Sequence, residues 1–237
     1  MSNKMQEKKN IGSLFDRIAD KYDFLNHLLS LNIDRRWRHE AVVAISDSQS
    51  VNSRCLDVAI GTADLAIETA RQLPEATIQG LDLSVEMMRI GEEKVRKLSL
   101  EQRITFLEGS ALEMPFEDNS FDIVTCAYGV RNFSDLDKGL GEMQRVLKPQ
   151  GRLMILEFSY PDNRMIASLY DLYFSHVLPS IGKLVSKDKT AYSYLNRSVK
   201  DFIWGEEMCA KLTDAGFKEV SARTLTFGIT TIYTATK

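Results

Sequence analysis

An α/β fold with a mostly parallel seven-stranded sheet ending in an antiparallel hairpin is predicted by three observations on this 237-residue chain. Five short apolar runs, at 55–59, 77–83, 104–107, 121–127 and 152–158, alternate with longer segments of helical periodicity. That alternation is the mark of a parallel sheet covered by helices on both faces. Two more strand-like runs, 219–225 and 228–234, stand too close together for a helical crossover and should pair as a hairpin. The composition, 44% hydrophobic and 27% charged, is that of a chain able to bury a core.

In chain order, a polar tail precedes Ile11, Leu14, Phe15, Ile18, Tyr22, Leu25 and Leu29, whose spacings of three and four predict an amphipathic helical cap. This segment, 1–45, is read as part of the same domain as the body, 46–237; about 150 residues per domain leaves no room for two full domains. Ahead of the fifth strand, Pro149 is expected to stop a helix and Gly151 to turn the chain. The stretch 160–204 is too long for a simple crossover and is read as a lid-like insertion. No repeat or linker divides the chain.

Several function classes are disfavoured. Lys and Arg number 30 and Asp and Glu 33, a net charge of −3, which does not suit a general nucleic-acid binder. Cys55, Cys126 and Cys209 form no CxxC pair and sit among apolar neighbours, so they are expected to be buried small hydrophobes. His27, His39 and His176 form no short ligand motif, and no metal is predicted. The longest uncharged apolar stretch outside the strands, 172–182, has 11 residues, against the roughly 20 that span a bilayer. With no apolar signal segment at residues 1–10, a cytoplasmic location is expected.

The first strand runs into Leu56-Asp57-Val58-Ala59-Ile60-Gly61-Thr62-Ala63-Asp64-Leu65. Small residues at 59, 61 and 63 allow a tight turn and let a ligand approach the amides. Twenty-one residues after Gly61, Asp82 ends the second strand, where a carboxylate can accept ribose hydroxyls. The turn reads A-x-G-x-A rather than G-x-G-x-x-G, and Asp57 places a negative charge before it. That sign disfavours a pyrophosphate and favours a cationic ligand such as S-adenosylmethionine. From these residues alone a methyl-donor site, a nicotinamide or other nucleotide site, and a plain tight turn all stay open.

Glu108-Gly109-Ser110-Ala111-Leu112 leaves the third strand with small side chains, giving room for an adenine ring or only an ordinary loop exit. After the fourth strand, Tyr128-Gly129-Val130-Arg131-Asn132-Phe133 lies at the edge where open α/β sheets hold ligands. The alternative for Arg131 and Asn132 is a surface cation beside a helix-capping amide. Glu157, Phe158 and Ser159 end the fifth strand at the same edge.

The order of these motifs resembles the class I S-adenosylmethionine-dependent methyltransferases, a Rossmann-like α/β class, and within them the menaquinone and ubiquinone C-methyltransferases. Tyr22-Asp23-Phe24-Leu25-Asn26-His27-Leu28-Leu29-Ser30 with Trp37 resembles that family's N-terminal signature, Gly129-Val130-Arg131-Asn132 its central one, and 145–159 its later one. Ala191-Tyr192-Ser193-Tyr194-Leu195 and Leu225-Thr226-Phe227-Gly228-Ile229 are also similar to family strings. The chain departs from the pattern at Asp34, where the family has histidine, at Ala63 and Gln150, where it has glycine, and at Ser110 and Ala127.

Carried over by position, the resemblance implies that Gly61, Thr62, Asp82, Ser110, Ala111 and Ala127 line the methyl-donor site. It implies that Arg131 and Asn132 face a prenylated quinol, with Tyr22 and Tyr192 as further substrate contacts or, alternatively, aromatic packing. The implied reaction is C-methylation of demethylmenaquinol to menaquinol, with a polyprenyl-benzoquinol as the rival acceptor. Arg131 would hold a phenolate, because a guanidinium is a poor proton acceptor.

Because a prenyl tail lives in the bilayer, transient peripheral contact with a membrane is expected. The segment 161–200 carries six Lys/Arg against three Asp/Glu beside Tyr170, Leu172, Tyr173, Phe174, Val177 and Leu178. A homodimer face is the competing use of that segment. From other classes, a nucleotide-dependent dehydrogenase and a non-catalytic donor-binding subunit are retained, the first opposed by the missing G-x-G-x-x-G.

Overall fold

The computed structural model describes residues 32–46, 52–161, 163–172 and 197–237, together with residues 12, 15, 16, 19, 27 and 30. Helix α1 (Ile33–Val43) leads to β1 (Arg54–Val58), α2 (Asp64–Gln72), β2 (Thr77–Asp82), α3 (Val85–Lys97), β3 (Ile104–Glu108) and β4 (Phe121–Ala127). A 3-10 turn (Val130–Asn132), α4 (Leu136–Val146), β5 (Leu147–Phe158) and α5 (Arg164–Leu172) follow. Then come α6 (Glu206–Asp214), β6 (Lys218–Leu225), a second 3-10 turn (Thr226–Gly228) and β7 (Thr230–Thr236).

The seven strands form one sheet in the order β3-β2-β1-β4-β5-β7-β6. The first five are parallel, and β7 pairs antiparallel with both β5 and β6. Each predicted apolar run is a strand; the central ones, β1 and β4, are buried on both faces and so apolar almost throughout, while β3 and β6 are exposed edge strands. One face packs Ala41, Leu65 and Met88 against the sheet, and the other packs Leu140, Met143 and Met208. The chain goes from β1 to β2 on one side, while β4 lies on the other side of β1. Their carboxyl ends therefore diverge into a crevice, the place where open sheets bind ligands.

Two helix starts follow from capping chemistry. Ser84 accepts from the Met87 N–H ahead of α3, and Asp135 accepts from the Lys138 N–H ahead of α4.

The entry to β5 differs from expectation. The strand starts at Leu147, directly after α4, and Pro149 stands two residues past the helix's C-cap, where a proline bars its continuation. Between the pairs Phe121↔Leu147 and Ile123↔Arg152 the register slips, and Gln150, not Gly151, takes the left-handed backbone at φ 65°. Sequence reasoning placed the turn on the glycine; the extra residues of the bulge put it one position earlier.

Cys55 and Cys126 are buried as expected, and burial pushes the Cys55 thiol up to about 12. Cys209 corrects the expectation, because it is only half-buried on α6. Within the predicted insertion, α5 buries Tyr170, and the Tyr160 hydroxyl donates to Asp171 at 2.7 Å. Tyr173, Phe174, Val177 and Leu178 lie outside the described residues. Among the described residues, no helix is long and apolar enough to cross a membrane.

Candidate functional site

A cavity of about 270 Å³ opens at the carboxyl ends of β1, β2, β3 and β4. Gly61, Asp82, Ser110, Ala111, Ala127 and Asn132 all line it, so the fold brings together six of the predicted site residues. Gly12 and Phe15 of the N-terminal segment complete part of its wall, and the Ser84 hydroxyl donates to Asp16 at 2.5 Å. The predicted cap thus reaches the donor side of the body, a contact that helical periodicity alone did not reveal.

Gly61 has φ 53°, a left-handed turn that glycine adopts without a Cβ penalty. Its N–H donates to Asp82 Oδ2 at 2.8 Å, and the Ser84 N–H donates to Asp82 Oδ1 at 2.8 Å. The Ile60 and Ala63 N–H groups also donate within the protein. The expectation that a ligand would use the amides of this turn is therefore corrected for these three. What the turn offers is a fixed carboxylate, whose oxygens have lone pairs left for a ligand's hydroxyls. Burial pushes the Asp82 carboxyl upward, opposed by the backbone N–H groups of Ser84, Gly61 and Leu83.

Ser110 accepts from the Leu112 N–H at 3.1 Å, which folds the loop after β3 and leaves its O–H as a donor. Across the cavity, Gly129 approaches so closely that a Cβ there would lie 2.7 Å from both Ala59 Cβ and Cys126 Sγ. Leu81, Leu83, Met87, Leu112 and Phe133 supply apolar surface between the polar groups. A buried acid at the end of β2, small residues at the other strand ends and apolar walls fit an adenosine-bearing donor.

Thr62 and Asp57 sit elsewhere. Thr62 is buried, and its hydroxyl accepts from Lys94 Nζ at 3.1 Å; it is not among the residues lining this cavity. Asp57 was expected to present negative charge at the entrance, but it is buried within β1 and does not line the cavity. Burial pushes its carboxyl up to about 7, despite a hydrogen bond from Thr125 at 2.9 Å. The charge argument therefore belongs to Asp82, not Asp57. Sequence reasoning misjudged Asp57 because position on a strand does not reveal depth.

Asn132 lines the cavity, and its Nδ2 donates to the Tyr128 carbonyl at 3.3 Å. Arg131 is buried and is not among the residues lining this cavity. Its Nη1 donates to Glu157 Oε1 at 2.8 Å and to the Tyr128 carbonyl, and its guanidinium lies 5.4 Å from the Phe158 ring centroid. Arg131 is thus a buried, paired cation rather than a surface one. Tyr22 and Tyr192 lie outside the described residues.

Two groupings escaped sequence reasoning. Asp34 is buried and accepts from His27 Nδ1 at 2.7 Å, Ser30 Oγ at 2.5 Å and Arg38 Nη2 at 2.5 Å. Arg38 and Lys94 also pair with Asp64, at 3.2 and 2.5 Å. His27, Asp34 and Asp64 have metal-ligand chemistry, but in this arrangement two cations already serve the carboxylates. Separately, Trp37 Nε1 donates to Thr226 Oγ1 at 2.7 Å, joining the first and last signature strings across 189 positions. Only a fold-level pairing of α1 with the β6–β7 turn could have found it.

The sheet order and the crevice define a class I methyltransferase fold. A solved S-adenosylmethionine-dependent methyltransferase from Aquifex aeolicus shares it with TM-score 0.55 at 21% identity, covering 78% of this chain and 82% of that one. Phosphoethanolamine N-methyltransferase 2 of Haemonchus contortus, solved with S-adenosyl-L-methionine, gives TM-score 0.63 at 17% identity, covering 84% of this chain and 52% of that one.

A sequence profile of the ubiE/COQ5 methyltransferase family matches residues 2–237, and the chain belongs to that family. A Bacteroides fragilis protein named demethylmenaquinone methyltransferase is 45% identical over 100% of this chain and 96% of its own length. A Geobacter sulfurreducens protein named ubiquinone/menaquinone biosynthesis C-methyltransferase UbiE is 47% identical over 98% of this chain and 90% of its own.

Proposed function

We propose that this methyltransferase moves the methyl group of S-adenosylmethionine onto a ring carbon of demethylmenaquinol, giving menaquinol and S-adenosylhomocysteine in menaquinone biosynthesis. The observation that carries the reading is the whole-length similarity to proteins named for that activity. Relatives at 46–47% identity are also named for ubiquinone synthesis, so a polyprenyl-benzoquinol is the second acceptor.

When bound, the donor supplies an electrophilic methyl group. The chain's own residues hold and align the reactants. Asp82, Ser110 and the small residues of the crevice seat the donor, with Gly61, Ala111 and Ala127 shaping its walls. Thr62 supports the first turn through Lys94. Asn132, in the cavity wall, fixes a quinol hydroxyl. Arg131 lends positive potential to the phenolate that forms, and a water carries off the phenolic proton, since the guanidinium cannot accept it. Electron density from the phenolate reaches the ring carbon, which bonds the methyl in line and then loses its own proton. Tyr22 and Tyr192 are kept as substrate contacts.

The reading also places a transient membrane contact at the carboxyl edge. Met165 and Phe227 are 71% and 77% exposed there, close to the end of β5, where the Ser159 N–H donates to the Ile229 carbonyl at 3.0 Å. Arg35, Arg36 and Arg164 are exposed as well. Exposed apolar side chains together with exposed arginines suit an anionic lipid surface.

The test is the Arg131→Ala and Asn132→Ala pair, with donor affinity and quinol turnover measured separately. Loss of turnover of about a hundredfold with donor binding retained supports the roles. Near-normal turnover in both removes them. Vesicles with anionic lipid should retain the wild type at low salt and retain Phe227→Ser poorly; failure to retain the wild type removes the membrane contact.

A further inference from the structure

We propose that Glu157 is a positioning residue for the acceptor side of the reaction, acting through Arg131. The proposal rests on the reading above that the Arg131 and Asn132 turn faces the quinol.

Glu157 is 0% exposed at the carboxyl end of β5. Its Oε1 accepts from Arg131 Nη1 at 2.8 Å and from the Phe158 N–H at 2.9 Å. Its Oε2 accepts from the Arg131 backbone N–H at 3.3 Å. One carboxylate therefore ties the Val130–Asn132 turn to the sheet twice, through main chain and side chain. The Asn132 N–H closes the turn on the Gly129 carbonyl at 2.9 Å, so the clamp fixes where Asn132 stands in the cavity wall.

Stability does not explain such a pair. Taking two charges out of water carries a penalty that their attraction recovers only with good geometry, and apolar replacements of both partners are often neutral or stabilising. An ion pair kept in the interior at the ligand edge of the sheet instead serves placement and charge. It holds the guanidinium in one orientation beside the turn.

The neighbouring titratable groups do not take over this role. Cys126 of β4, Tyr128 of the following turn, Tyr170 of α5 and Tyr233 of β7 are all pushed upward by burial and stay neutral. Burial pushes the Glu157 carboxyl upward as well, but the Arg131 guanidinium and the Phe158 and Arg131 N–H groups pull it back, which makes it the acidic partner of Arg131.

The experiment compares wild type, Glu157→Gln, Arg131→Leu and the Arg131→Leu/Glu157→Leu double variant. S-adenosylmethionine affinity is read by calorimetry, and kcat and KM with demethylmenaquinol as acceptor. Glu157→Gln should hold donor affinity within about twofold and lose at least about tenfold in kcat. The double variant should turn over within about twofold of Arg131→Leu, because without the Arg131 side chain Glu157 keeps only its long 3.3 Å main-chain tie to the turn.

Unchanged kcat in Glu157→Gln overturns the proposal. So does donor affinity falling in step with kcat, or a further tenfold loss in the double variant, as independent structural damage would give. Should Glu157→Gln fail to fold, the comparison of Arg131→Leu with the double variant decides. A wild type that binds donor but leaves the quinol unmethylated overturns the parent reading and this proposal with it. An active wild type with a fully active Glu157→Gln overturns this proposal alone.

Discussion

Replacing Asp57 with Asn should remove a pH-dependent burden from the fold. Asp57 is buried in β1, and burial, with the nearby Asp82 charge adding, outweighs the Thr125 hydrogen bond and raises its carboxyl from 3.8 to about 7. Between these two values the folded chain keeps a proton that the unfolded chain has released. Raising the pH through that window therefore works against folding, and the loss levels off above about pH 7.

At about 1.4 kcal/mol per pH unit, the raised carboxyl costs the fold about 4 kcal/mol at pH 8, where it is ionised, and about 1.7 kcal/mol at pH 5, where it keeps its proton. Asn keeps an acceptor for Thr125 and cannot ionise. The stability gap between Asp57→Asn and wild type should therefore widen in the variant's favour by about 2–3 kcal/mol from pH 5 to pH 8. Urea unfolding at pH 5, 6, 7 and 8 without donor measures this, because other titrations cancel in the difference. A gap that stays constant across the series, or moves the other way, refutes the assignment of a raised carboxyl to Asp57.

Three further outcomes follow from particular contacts. Gln150 is exposed and left-handed at φ 65°, so Gln150→Gly should stabilise the chain by about 1 kcal/mol in chemical denaturation. Gly129→Ala would set a methyl 2.7 Å from Ala59 Cβ and Cys126 Sγ, and should lower stability by about 1–3 kcal/mol and weaken donor binding measured by calorimetry. Trp37→Phe removes the 2.7 Å hydrogen bond to Thr226 and should lower stability by about 1 kcal/mol, with Thr226→Val adding little in the double variant.

The fold was largely legible because buried parallel strands must be apolar almost throughout, and 55–59, 77–83 and 121–127 announce themselves by that. The short link from β6 to β7 likewise dictated an antiparallel pair. The start of β5 was not legible, since a bulge lets a strand begin before a proline and moves the turn from Gly151 to Gln150.

In the site, the residues at strand ends were readable. Topology sends the carboxyl ends of the parallel strands to one edge, which brought Gly61, Asp82, Ser110, Ala127 and Asn132 together. Depth was not readable. Asp57 and Asp82 are both acids on neighbouring strands, yet only Asp82 reaches the cavity. Partnerships between distant residues were also invisible: Arg131 with Glu157, Asp34 with His27 and Trp37 with Thr226 depend on which elements lie side by side.

The departures at Ala63 and Gln150 acquire a physical meaning in three dimensions. Both have positive φ, at 65°, where glycine carries no steric penalty. The chain therefore tolerates local backbone strain at two turns where its relatives' pattern has glycine.

Methyl transfer from labelled S-adenosylmethionine is the most direct measurement, with demethylmenaquinol and the demethylated benzoquinol offered separately under reducing conditions. Labelled menaquinol is the predicted product, with or without a labelled benzoquinol beside it. Donor binding without label on the naphthoquinol ring would contradict the proposed acceptor while leaving the methyltransferase fold and its donor crevice in place.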